Sequence, residues 1–196
     1  QLIARISTSQ KVHIITDENV HNIYGSKIAA MLDDQKITHL SYILTPGEDQ
    51  KNSANVDLIY KWLFENKIER QDLIIALGGG VVCDLVGYVA ATVLRGVKLL
   101  SIPTSLLAMT DAAIGGKTAV NLNVGKNLIG VIKQPDAILI DVNFLETLPE
   151  REITEGMAEV IKHAIILDKT LFQIFDEHKG NTSALIQDKK LLLDII

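Results

Sequence analysis

Short unbroken apolar runs alternate along the chain with longer stretches in which apolar positions recur every three or four residues. The short runs are KVHIIT (Lys11 to Thr16), THLSYIL (Thr38 to Leu44), DLIIALGGG (Asp72 to Gly80), KLLSIPT (Lys98 to Thr104) and AILID (Ala137 to Asp141), each of strand length. Between them lie a helical stretch through IAAML, one holding VDLIYKWLF, and one through VVCDLVGYVAAT. In the second, Val56, Ile59, Tyr60 and Leu63 fall on one helical face. Strands that are apolar without alternation need cover on both faces, which intervening helices provide in a parallel sheet. The pattern predicts an α/β fold with a Rossmann-like, doubly wound parallel sheet.

After Pro149 the pattern changes. REITEGMAEVIKHAIIL, KTLFQIFDEH and SALIQDKKLLLDII all read as helices, and no strand follows. Residues 1–148 are therefore expected to form the α/β domain, and residues 149–196 the first helices of an all-α domain. That second part is too short to bury a core by itself. The chain does not begin with Met and stops inside the apolar segment KKLLLDII, so an incomplete fragment is expected.

Composition narrows the class. Of 196 residues, 47% are hydrophobic and 22% charged, as in ordinary globular proteins. No apolar run reaches membrane-spanning length. Cys83 is the single cysteine, which fits a reducing compartment, and a cytoplasmic location is expected. Net charge is 19 − 24 = −5, an unfavourable balance for nucleic acid or anionic membrane. From Arg95 to Pro135, however, five basic residues (Arg95, Lys98, Lys117, Lys126, Lys133) face only Asp111, a local charge of +4. Such a segment reads either as a site for a small anion or as a solvated face.

Three segments carry candidate chemistry. Gly78-Gly79-Gly80 ends a buried run and opens a helix, where backbone N–H groups can approach a phosphate. A G-x-G-x-x-G pattern would need a third glycine at Cys83, and here the glycines follow the third strand instead of the first. The stretch Asp111-Ala-Ala-Ile-Gly-Gly-Lys117-Thr118, with Asn121, Gly125, Lys126 and Asn127, reads as a glycine-rich loop. Asp111 occupies the position where a phosphate loop of nucleotide triphosphatases needs glycine, so that reading is rejected. Its lysines suit a phosphate or carboxylate, and Asn127 suits a hydroxyl. Finally, Glu155, Glu159, Lys162 and His163 share one helix face. Glu159 and His163 have metal-ligand spacing, but a Glu–Lys pair beside a solvated histidine explains the same residues. The remaining histidines, His13, His21, His39 and His178, form no ligand set with this helix.

Together, ITDENV (Ile15 to Val20), PGEDQK (Pro46 to Lys51), GGGVVCDLVGYVAATVLRG (Gly78 to Gly96), IPTSLLAMTDAAIGGKTAVN (Ile102 to Asn121), GKNLIG (Gly125 to Gly130), LPERE (Leu148 to Glu152) and GMAEVIKHA (Gly156 to Ala164) closely resemble the 3-dehydroquinate synthase family. Cys83 stands where the family has glycine, and the histidines that complete the family's metal site are absent.

The resemblance implies an NAD- and zinc-dependent lyase of the shikimate pathway, converting 3-deoxy-D-arabino-heptulosonate 7-phosphate to 3-dehydroquinate and phosphate. It implies that Asp17, Asn19, Gly47, Glu48 and Lys51 hold the adenosine part of NAD. Gly79, Gly80, Val81 and Asp84 would cradle the pyrophosphate. Thr104, Ser105, Lys117, Lys126, Phe144 and Thr147 would complete the cofactor pocket. Arg95, Lys117, Asn127 and Lys162 would bind the substrate, with Lys126 and Asp111 beside them. Glu159 would be one ligand of a divalent metal, zinc or cobalt. A homodimer is implied, with Arg95 reaching a neighbouring subunit's site. Open alternatives are a related sugar-phosphate cyclase, a metal-dependent alcohol or glycerol-phosphate dehydrogenase, and a non-catalytic NAD-binding fragment. Gly115-Gly116-Lys117-Thr118 leans toward the synthase. The isolated chain is expected to be inactive, binding NAD weakly and zinc poorly.

Overall fold

All five apolar runs pair into one sheet, because each is flanked by helices that cover it. The computed structural model describes residues 2–6, 9, 11–177 and 188–196. In chain order, the first elements are α1 (Leu2–Ile6), β1 (Lys11–Asp17), α2 (Glu18–Val20), a π-helical turn (His21–Gly25), α3 (Ser26–Asp34) and β2 (Thr38–Leu44). A 3-10 turn (Glu48–Gln50), α4 (Ser53–Glu65), β3 (Leu73–Gly78), α5 (Gly80–Thr92), a second 3-10 turn (Val93–Arg95) and β4 (Lys98–Pro103) follow. Next come a second π-helical turn (Ala108–Ala112), β5 (Lys117–Leu122), β6 (Gly125–Ile132), β7 (Ala137–Ile138) and a third 3-10 turn (Val142–Thr147). The remaining helices are α6 (Glu150–Ile166), α7 (Lys169–Glu177) and α8 (Lys189–Ile195). His178 and residues 183–187 of the last predicted helix lie outside the described residues.

The sheet order is β2-β1-β3-β4-β7, all parallel. On one face Ile15, Ile74 and Ala76 pack against Val56, Ile59 and Leu63 of α4 and Leu85, Val86 and Val89 of α5. On the other, Val12, Ile14, Leu73, Ile75 and Leu77 meet Leu32 and Ile28 of α3. Successive residues thus alternate between two dry faces, which is why the strands read as continuous apolar runs. A further core joins Leu106, Met109, Val142 and Leu145 to Met157, Val160, Ala164, Leu192 and Ile195, seating α6 and α8 on the sheet domain.

Two expectations change. The glycine-rich loop after Asp111 is in part a two-stranded antiparallel hairpin, β5–β6, turned by Asn123 and Val124. Its alternation is faint in the sequence because only Thr118 and Val120 point inward, under α5, while β6 is exposed along almost its whole length. The AILID run gives only a two-residue strand, since the chain leaves the sheet edge for the third 3-10 turn.

At the amino end of the sheet a buried polar cluster ties β1 to the turn before β3. Asp72 accepts hydrogen bonds from Ser9 Oγ (2.7 Å) and Glu69 N–H (3.0 Å), and pairs with Lys11 Nζ (3.1 Å) and His13 Nε2 (3.2 Å). His13 Nδ1 is buried without a partner, consistent with a neutral ring donating through Nε2. Burial lowers the His13 pKa, outweighing the attraction of Asp72. Burial would raise Asp72, but its four hydrogen-bond donors hold it below the ordinary value.

Both groups therefore bind fewer protons folded than unfolded, so their stabilisation is present at neutral pH and lost on acidification. The unfolding midpoint in urea should fall as pH drops below the His13 reference of 6.5, and fall again below the Asp72 reference of 3.8. An acid-side profile that stays flat through both ranges would refute this account.

Candidate active site

A cleft of 1530 Å³ opens where the carboxyl ends of the strands meet the helices, lined among others by Asp17, Leu44, Gly79 and Thr104. The strand order reverses between β1 and β3, and a ligand crevice is expected outside the strand ends at that switch point. This explains why the glycine turn follows the third strand: β3, not β1, supplies the helix beside the crevice. The first N–H groups of α5 have no side-chain cap, since Gly79 is the N-cap. A Cβ on Gly79 would come within 3.4 Å of Ser105 Oγ, and one on Gly80 within 3.7 Å of Ala112 Cβ. The missing side chains leave a cradle of backbone donors. At Cys83, burial pushes the thiol up to about 12, so this cysteine is a packing residue and not a nucleophile.

The floor of the cleft is an alternating charge network. Lys51, only 4% exposed, places Nζ 2.9 Å from Asp84 Oδ2 and 3.7 Å from Glu48 Oε1. Burial raises the Asp84 pKa; Lys51 opposes this, while Glu48 and Asp111 add to it. Lys126 Nζ also lies 3.7 Å from Glu48 Oε1. Asp17 caps α2 by accepting from Val20 N–H at 3.0 Å. Phe144 and Thr147 line the cleft from the third 3-10 turn, held there by Tyr24, whose hydroxyl lies 2.6 Å from Thr147 Oγ1 and whose ring meets Phe144 edge-on.

Most of the predicted site residues converge here. Asn19, Gly47, Val81 and Ser105 line the same cleft, as do Asp111, Lys117 and Asn127. Asp111 and Lys117 both flank Gly115, and Lys117 has no ion-pair partner among the described residues. Four residues do not line it: Arg95, Lys126, Glu159 and Lys162. Lys126 reaches its rim only through Glu48. Arg95 lies beyond the carboxyl end of α5, which runs about 1.5 Å per residue away from the glycine turn. Leu94 and Arg95 both hold positive φ, 50° and 67°. Glu155 lines the cleft; Glu159, one turn along, is ion-paired with Lys162 and lies 3.4 Å from His163 Nε2. Among the described residues no group of three His, Cys, Asp or Glu side chains could hold a metal.

The basic segment is also less free than its charge count implies. Lys98 (2.8 Å) and Lys133 (3.3 Å) both bind Asp136, just outside the counted stretch. Asp136 also accepts from Leu99 N–H, and although burial would raise its pKa these donors hold it low. Sequence reasoning passed over Tyr24 and Glu152. Glu152 is raised by burial and by the carboxylates of Glu155 and Asp17. Tyr24 did not stand out in the sequence because its partner Thr147 is 123 residues away, and Glu152 because its burial and the approach of Asp17 are set by the fold.

A family model described as 3-dehydroquinate synthase N-terminal matches residues 41–155. The chain belongs to the 3-dehydroquinate synthase family. It is 46% identical over 186 residues to the 3-dehydroquinate synthase of Prochlorococcus marinus strain NATL2A, covering 95% of this chain and 50% of that protein. It is 39% identical over 193 residues to that of Streptococcus thermophilus strain CNRZ 1066, covering 98% and 54%. The chain thus spans about half the length of the curated relatives it matches.

Among solved structures, 2-epi-5-epi-valiolone synthase from Streptomyces hygroscopicus subsp. jinggangensis 5008, with NAD+ and Zn2+ bound, superposes with a TM-score of 0.91 at 29% identity, covering 100% of this chain and 54% of that one. A 2-deoxy-scyllo-inosose synthase complexed with carbaglucose-6-phosphate, NAD+ and Co2+ gives 0.76 at 29%, covering 83% and 44%. This chain shares its α/β fold with both of these solved structures. No helix among the described residues is long and apolar enough to cross a membrane.

Proposed function

We propose that this chain forms the nucleotide-binding part of a 3-dehydroquinate synthase acting on 3-deoxy-D-arabino-heptulosonate 7-phosphate. The observation that carries the reading is the convergence, in one cleft, of the uncapped Gly79–Gly80 turn with Lys117, Asp111 and Asn127. The first suits a pyrophosphate and the second group an anionic, hydroxylated substrate. Identities of 46% and 39% to 3-dehydroquinate synthases support the substrate choice.

The residues present fit NAD: the cradle over Gly79 and Gly80 leaves room for phosphate oxygens, and Asp17, Asn19, Glu48 and Lys51 border the adjoining space. The chemistry the dinucleotide supplies when bound is reversible hydride transfer, with no net redox change. Thr104, Ser105, Phe144 and Thr147 close the pocket around it. Lys117 holds the departing phosphate as charge shifts onto it, and Asp111, across Gly115, adds a carboxylate to the same wall. Asn127 takes a substrate hydroxyl. The cleft walls retain reactive intermediates.

A divalent metal does not fit the described residues by themselves, since Glu159 is one carboxylate already held by Lys162. Zinc or cobalt therefore enters this reading only as an ion that Glu159 helps hold once further ligands join it. The family resemblance implies a homodimer in which Arg95 serves the cleft of a second copy, and its place beyond the end of α5, outside its own cleft, is compatible with that.

The test is phosphate release from the heptulosonate phosphate by the full-length enzyme carrying this sequence. Release that requires NAD and accumulates no NADH is expected; the 196-residue chain alone should bind NAD without releasing phosphate. NADH accumulation would assign the protein to the dehydrogenases instead. The high structural similarity to 2-epi-5-epi-valiolone synthase favours a second reading, another sugar-phosphate cyclase. Turnover of a different sugar phosphate, with none of this one, would establish it.

A further inference from the structure

One carboxamide joins the two halves of the cleft. Asn121, near the end of β5, donates from Nδ2 to Glu48 Oε1 at 2.8 Å and accepts at Oδ1 from Asn127 N–H at 2.9 Å. Its own N–H donates to Lys51 O at 2.7 Å, and it bridges Asn52 in parallel. The hairpin register shifts between Val120 and Leu122, at this residue. Asn127 holds a left-handed backbone (φ 58°), which asparagine tolerates better than most residues, and the hydrogen bond its N–H donates to Asn121 helps to fix it. Among the described residues, no other β5 side chain hydrogen-bonds to both the Glu48–Lys51 segment and β6 near its start. The carboxamide is planar, so the donor and acceptor arms cannot be reoriented independently.

We propose that Asn121 is a positioning residue that couples the dinucleotide segment to the anion-binding hairpin, so that a bound phosphate tightens the site for NAD. This rests on the reading of the cleft given above. Glu48 Oε1 has three claimants: Asn121 Nδ2, Lys51 Nζ and Lys126 Nζ. Lys126 is the exposed one, with 71% of its side chain open to solvent against 5% for Lys51. An anion at the hairpin draws Lys126 away from Glu48. The carboxylate is then left to Lys51 and Asn121, which strengthens their hold on it and steadies the Glu48–Lys51 segment. Linkage makes the effect reciprocal: NAD tightens the anion site by the same factor.

The test titrates NAD into this chain with and without saturating inorganic phosphate, ionic strength being matched with chloride. Phosphate should tighten NAD binding by about fivefold in the native chain. That ratio should collapse to about one in Asn121→Ala and in Asn121→Asp, which keeps the acceptor for Asn127 N–H but loses the donor to Glu48. Lys126→Gln, at an exposed position that does not threaten folding, should abolish the ratio as well. A purely structural role for Asn121 would weaken both affinities and leave their ratio intact, which overturns the coupling. So would phosphate that leaves NAD binding unchanged or competes with it. A native chain that folds but binds no NAD would instead overturn the reading of the cleft itself.

Discussion

Lys51→Met is expected to destabilise the chain by about 3 kcal/mol and to reduce NAD affinity by at least about tenfold. The lysine side chain is 5% exposed and its partner Asp84 19%, so removing the cation strands a largely buried carboxylate. Burial already raises the Asp84 pKa, and the loss of Lys51 raises it further. A raised carboxylate is best tolerated in its protonated form, so its folded state is favoured at low pH and penalised as pH climbs through the folded pKa. The stability gap between Lys51→Met and the native chain should therefore narrow on acidification. The double variant Lys51→Met/Asp84→Asn should recover most of the stability, because a neutral amide carries no ionic desolvation cost, while NAD affinity stays low. Urea unfolding with parallel NAD titration separates the two effects. Full recovery of binding in the double variant would show that Lys51 serves only the fold.

Gly130→Ala should cost about 3 kcal/mol and disable the hairpin that presents Lys117 and Asn127. A Cβ at Gly130 would sit 2.2 Å from the backbone oxygen of Thr118 and 3.2 Å from Ala119 Cα. Backbone cannot rotate out of the way, so β5 and β6 must separate or slip. Gly87→Ala is the informative contrast. Its Cβ would meet the same residue, but at the side-chain methyl, 2.4 Å from Thr118 Cγ2. The threonine side chain can shift, and alanine gains about 1 kcal/mol of helix propensity over glycine inside α5. Thermal unfolding of the two variants should show a large loss at Gly130 and a small one at Gly87. Equal losses would mean that the α5–hairpin contact is as unyielding as the backbone contact within the hairpin.

Much of this site was legible in one dimension because its parts are local. The buried β3 run ending in Gly78-Gly79-Gly80 places a helix start where a strand stops, whatever surrounds it. The shared face of Glu155, Glu159, Lys162 and His163 follows from helical spacing alone, and their ion pairs form within one helix. The five parallel strands were likewise legible, since two-sided burial leaves unbroken apolar runs. The hairpin was not. Its inward positions are few, its exposed strand mixes glycine and polar residues, and its stability comes from α5 lying across it.

Local patterning therefore sets the list of elements and the chemistry each can offer: a parallel sheet, a glycine turn at a helix start, and a basic stretch with two conspicuous lysines. Tertiary structure alone decided which of those groups are available. It set Asp136 against Lys98 and Lys133, closed Lys51 onto Asp84, turned Arg95 away from its own cleft and left Lys117 unpaired at the cleft wall. It also put β3 beside β1, which brings the glycine turn to the crevice, and hung two segments of the site on Asn121. The physical reason is range: backbone propensity and side-chain periodicity act over a few residues, whereas charge compensation and strand order depend on partners tens of residues away.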